Sequence, residues 1–205
     1  MVVGLFGFRS RPLAFRALWG WLAFGLVLNV FMWRMAGHGQ RTALVTQLSL
    51  PIFATLGLYA ASRLTTSRRA IRWCLLATIS YVLFWGWRFM HAEATGDFSV
   101  YTSPVLWMIL TITAVWIIAV RLADSPANPL RDPILIAAMA ILVSYAPAAA
   151  LEPVSAALYA SHRDLTLVLW IGKTWLLIVG YFLFTLALLW TLPPRSSPGF
   201  SSSVA

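Results

Sequence analysis

DPILIAAMAILVSYAPAAALEPVSAALYASHRDLTLVLWIGKTWLLIVGYFLFTLALLW, residues Asp132 to Trp190, is two long apolar runs separated by a short polar break at Ser161 to Asp164. At 1.5 Å of rise per residue, each run is long enough to cross a hydrocarbon core of ~30 Å. The stretch therefore reads as a membrane hairpin. One acid and one base, Glu152 and Lys173, lie inside its apolar runs.

The rest of the chain supports this reading. With 60% hydrophobic and 10% charged residues over 205 positions, it has too little charge to clothe a soluble domain. The net charge of +9 could suggest nucleic acid, but the basic residues fall between apolar runs, and no nucleic-acid partner is expected. Four more runs precede the hairpin, so the predicted spans are about 17–35, 43–61, 71–90, 104–122, 133–160 and 165–192. The fold class is an all-α membrane protein, a bundle of six transmembrane helices in one domain over 1–193. The first run is too long for a signal peptide and has no Ala-x-Ala exit, so it is read as a retained helix. Pro51 falls inside the second run, where a span tolerates it if a neighbour satisfies the freed carbonyl. The tail Pro194 to Ala205, rich in Ser and Pro, reads as disordered.

Lys and Arg counts set the orientation. With the N-terminus inside, Arg9, Arg11, Arg16, Arg63, Arg68, Arg69, Arg72, Arg121, Arg131 and Arg195 share one side. Arg34, Arg41, Arg88 and Arg163 share the other. Ten against four places both termini in the cytoplasm of a cell membrane, of the bacterial inner-membrane kind. The loop Arg63 to Arg72 reads as topogenic and attracted to anionic lipid. Ala14-Phe15-Arg16 with Trp33-Arg34 echoes Ala70-Ile71-Arg72 with Trp87-Arg88, but the spacings differ by two and Arg and Trp belong at the ends of any span. No repeat is inferred. The single Cys74 excludes an internal disulfide and reads as packing.

An ionisable group near the centre of a span costs about 2.5 to 3.5 kcal/mol on insertion scales, so Glu152 and Lys173 require an account. Lys173 lies eight residues past Leu165, ~12 Å along its helix, and Glu152 lies eight residues before Ala160. If the fifth helix runs that far, the two share one depth. Ala140, Ser144, Ala148, Glu152, Ala156 and Ala160 recur every four positions, the small-residue spacing of close helix contacts, so Glu152 should face protein. Pro147 and Pro153 could kink the helix and rotate that face. Two readings remain open: an ion pair at the floor of an outward-opening cavity, or a Lys173 that snorkels to the interface.

Asn29, Arg34, Gln47, Arg88 and Tyr101 fall at the same outer level, with Trp33, Trp85, Trp87, Trp107, Trp170 and Trp175. An interfacial aromatic belt explains most of these. Trp85 and Trp87 face ~200° apart, however, so at least one points inward, and Trp170 and Trp175 bracket Lys173. The candidate ligand-binding residues are Glu152, Lys173, Arg88, Arg34, Trp87 and Trp170. Their charge suits an anionic or zwitterionic ligand. His38, His91 and His162 share the outer side and are weak metal candidates, but they lack any metal-binding spacing, so no metal site is assigned and the cofactor is left unknown.

The expected function is a small-molecule carrier or substrate-capture subunit with the lipid bilayer as its setting, acting as a homo-oligomer or within a larger membrane complex. The alternative is a non-catalytic structural or regulatory subunit. Enzymatic motifs are absent.

Overall fold

The structure is a computed structural model that describes residues 11–40, 42–65, 67–93, 101–124, 128–159 and 161–191. Six helices long and apolar enough to cross a membrane follow one another: α1 (Leu13–Gly37), α2 (Ala43–Arg63), α3 (Arg68–Arg88), α4 (Thr102–Ala123), α5 (Pro133–Leu158) and α6 (Arg163–Trp190). A π-helical turn, Phe89–Glu93, extends α3, and a 3-10 turn, Pro129–Arg131, precedes α5. There is no strand among the described residues. In hydrocarbon a backbone must satisfy its own polar groups, and a helix does this within one segment. The chain is a multipass membrane protein.

Several helices run past the apolar limits read from the sequence. α1 begins at Leu13 and ends at Gly37, and α3 begins at Arg68, because interfacial Arg and Gly residues remain helical beyond the hydrocarbon. α5 passes through both Pro147 and Pro153 to Leu158. Its expected end at Ala160, the expected end of α6 at Leu192 and the tail 194–205 lie outside the described residues.

Side chains fix two of the helix ends, the start of α5 and the end of α6. Asp132 caps α5 by accepting from the N–H groups of Ile134 (2.9 Å) and Leu135 (3.2 Å), with Pro133 at the first helical position, where it needs no donor. Its other oxygen accepts from Arg121 Nε at 2.6 Å, tying the end of α4 to the start of α5. Arg11, almost fully buried, donates to the Leu188 carbonyl and to Thr191 Oγ1 (2.7 Å) at the end of α6. A cation there suits the negative end of the helix dipole. The contact also brings the start of α1 and the end of α6 to one end of the bundle, here termed the terminal end. The connections α1–α2, α3–α4 and α5–α6 form the opposite, loop end.

Pro51 removes an N–H from α2 and leaves the Gln47 carbonyl without its usual helical partner. The indole N–H of Trp85, on α3, donates to that carbonyl at 2.9 Å. Thr102 of α4 donates to the Gln47 side-chain oxygen at 3.2 Å. A Trp85→Phe variant is therefore expected to lose about 1–2 kcal/mol, the cost of an orphaned carbonyl in a membrane interior. Reversible unfolding in mixed micelles measures the loss, and an unchanged free energy would mean that another group satisfies Gln47.

An aromatic core joins the helices. Trp21 of α1 is fully buried, and a Cβ at Gly57 of α2 would come within 2.8 Å of its ring, so glycine permits the approach. Trp21 also packs on Phe53 (5.2 Å between centroids), Tyr145 (5.6 Å) and Phe184 (6.1 Å), linking α1 to α2, α5 and α6. Tyr145 in turn stacks on Trp107 of α4 at 4.9 Å with 17° between planes. Cys74 is buried, in keeping with a packing role.

Candidate functional site

The small-residue stripe of α5 faces α6. Ala140, Ser144 and Ala148 are buried, and Gly180 of α6 sits against Ser144. A Cβ on Gly180 would overlap Ser144 Oγ and lie 3.1 Å from its Cβ and 3.2 Å from the Ala140 carbonyl oxygen. This close approach carries the next members of the two stripes, Glu152 on α5 and Lys173 on α6, toward each other.

Lys173 Nζ donates to Glu152 Oε1 in a direct ion pair. α5 continues past Glu152, so Glu152 is helical, but it lies six residues from the end of α5 at Leu158 while Lys173 lies ten from the start of α6 at Arg163; the two meet although the counts from the helix ends are unequal. The second carboxylate oxygen, Oε2, accepts from the indole N–H of Trp107 at 2.8 Å. The Lys173 ammonium lies 4.7 Å from the centroid of the Trp170 ring, within cation–π range. The carboxylate thus has a cation on one oxygen and a neutral donor on the other, and both charges lie against indoles.

The pair retains access. Side-chain exposure is 21% for Lys173 and 14% for Glu152, so the charges are neither sealed in the core nor free in solvent. Trp107 is held from below by Tyr145 and edge-on by Phe53 (5.6 Å, 86°), which fixes the indole that donates to Glu152. A site whose donors are locked by packing keeps its geometry when empty.

No protein-family model, curated protein or solved structure matches the chain.

Glu152, Lys173 and Trp170 come together as candidate residues. Arg88 and Trp87 form a separate group: the Arg88 guanidinium lies 4.1 Å from the Tyr101 ring centroid and 5.5 Å from that of Trp87, and Trp87 packs on His91 at 5.9 Å. Trp85 is the inward member of its pair and Trp87 the exposed one. Arg34 is exposed near the end of α1, and its side chain makes no ion pair or hydrogen bond among the described residues. Asn29 donates to the Gly25 carbonyl of its own helix at 2.8 Å. His38 and His162 are exposed, and His91 Nδ1–H donates to the Trp87 carbonyl at 2.7 Å. Among the described residues no group of three or more His, Cys, Asp or Glu could hold a metal ion.

Trp107 and Tyr145 are the site residues that sequence reasoning missed. Trp107 reads as one of several belt tryptophans, and only its neighbour on α5 shows that it turns inward. Tyr145 carries a usable signal: it lies seven residues before Glu152, two turns along the same face.

Proposed function

We propose that the protein is a small-molecule carrier or substrate-capture subunit whose binding site is the Glu152–Lys173 pair with Trp107 and Trp170. The observation that supports this most directly is the partly exposed ion pair held between preorganised indoles. A purely structural pair gains nothing from remaining accessible, because a buried ion pair is often no more stabilising than apolar packing of the same volume. The pair is neutral as a unit, so a ligand bearing both signs can take Lys173 with its anion and Glu152 with its cation and add no net charge to the interior. The ten-to-four distribution of basic residues supports an orientation with both termini in the cytoplasm and the site toward the outer face.

A second reading, a structural subunit, has one observation in its favour. The outer part of α6 presents Leu167, Val168, Ile171, Trp175 and Ile178 as an exposed apolar face that could pack on another chain.

The test is ligand-dependent thermal stability of the purified protein against amino acids, small phosphates and their acylated counterparts. A true ligand at a hundredfold excess over Kd is expected to stabilise the wild type by about 2.7 kcal/mol. Lys173→Met and Glu152→Gln should each lose that response. If no compound stabilises the wild type, or the variants respond as it does, the site does not bind ligand.

A further inference from the structure

The surroundings of the pair suggest what kind of molecule reaches it. On α6 the side chains that touch the bundle form one narrow stripe, with Thr166, Gly180 and Phe184 buried and Lys173 partly buried on the same line. The apolar residues beside Lys173 around the helix are Trp170 and Leu176, both part-exposed, and the opposite face, with Val168, Ile171 and Trp175, is exposed and apolar as well. On a membrane-spanning helix, exposure of this kind is exposure to hydrocarbon. Trp170, over which the ammonium rests, is itself 40% exposed, so the accessible side of the pair borders the lipid-facing surface.

A water-soluble ligand arriving from that side would have to leave water first. An amphiphile already has its chains there. The pair also has a preference between headgroups. A purely anionic headgroup that took Lys173 would strand the Glu152 carboxylate with only the Trp107 N–H as partner, and an uncompensated charge in an apolar site is costly. A headgroup bearing both an ammonium and an oxyanion can exchange with the pair and leave neither charge alone. Its ammonium would gain Glu152 and the indole faces, and its oxyanion would gain Lys173.

We infer that the Glu152–Lys173 pair receives the zwitterionic headgroup of an amphiphile, an ammonium linked to a phosphate or carboxylate, which enters sideways from the bilayer along α6. The inference rests on the reading of the pair as a ligand site and narrows it to a substrate class and a route.

Thermal unfolding of the full chain in detergent tests it, with three probes: short-chain phosphatidylethanolamine, phosphatidylglycerol with the same acyl chains, and soluble phosphoethanolamine. The expected result is a midpoint shift of several degrees with phosphatidylethanolamine, at least twice that with phosphatidylglycerol, and little with phosphoethanolamine. The excess over phosphatidylglycerol should vanish in the Glu152→Gln/Lys173→Met double variant and shrink in Trp170→Leu, which removes the part-exposed ring beneath the ammonium, leaves both charges in place and keeps the test valid if the double variant folds poorly. Equal shifts with both lipids, or a lipid preference that survives in Trp170→Leu and the double variant, would assign the effect to general lipid contact and overturn the inference. A strong shift with phosphoethanolamine and none with its lipid would overturn the sideways route while leaving a ligand site at the pair. No shift with any probe would overturn the zwitterion itself.

Discussion

Lys173→Met is expected to destabilise the protein by about 3 kcal/mol, the low end for removing one partner of a buried pair because both side chains keep some exposure. The loss has a specific origin. Methionine fills the space of the lysine stem, so packing against α5 is largely kept, but the Glu152 carboxylate is left with the Trp107 N–H alone. Glu152→Gln is expected to cost less, since a glutamine oxygen can still accept from Trp107 and its amide is neutral. The double variant should recover part of the sum, giving a coupling of about 1–3 kcal/mol in a double-mutant cycle. Unfolding in mixed micelles at one lipid composition supplies all four free energies. A coupling indistinguishable from zero would mean that the two side chains do not meet.

The second large effect is expected at Gly180. Leucine there would drive a branched side chain into Ser144 and the Ala140 carbonyl, and backbone cannot rotate away as a side-chain tip can. The overpacking cost should reach about 3 kcal/mol, at the upper part of the usual range. Because α5 and α6 are in tight contact at this point, the strain should also separate Glu152 from Lys173 about two turns beyond. Gly180→Leu is thus expected to abolish the pair's coupling as well as to lower stability, whereas Gly180→Ala combined with Ser144→Gly should retain most of both. Measuring the Glu152–Lys173 cycle in each background decides the matter. Undiminished coupling in Gly180→Leu would show that the stripe does not set the pair's geometry.

Part of this architecture is legible in the sequence, for physical reasons. A span is specified by its length and apolarity, both local properties, so six helices and their approximate limits can be read directly. The approximate depth of Glu152 and Lys173 follows from counting outward from the Ser161–Asp164 break, though helix ends at Leu158 and Arg163 put them six and ten residues in. The direction of Glu152 follows from Ser144 and the alanines on its stripe, because small residues mark where a neighbour comes close. What cannot be read is which neighbour faces which residue across the bundle. Trp85 and Trp107 both look like interfacial anchors, yet one completes the hydrogen bonding of α2 and the other that of Glu152. Arg88 and Arg34 share a level with the pair, but level does not specify azimuth, and Arg88 stacks on Tyr101 instead. Arg11 reads as one more topogenic cation and is in fact buried against the last helix.

That Arg11 contact bears on how the protein is made. Its acceptors, the Leu188 carbonyl and Thr191, lie 177 and 180 positions later in the chain. During synthesis Arg11 precedes both acceptors by six helices, and α1 through α5 can enter the bilayer before either exists. The tie between the first helix and the sixth is therefore closed only once α6 is in place, so the bundle is locked from its two ends last of all.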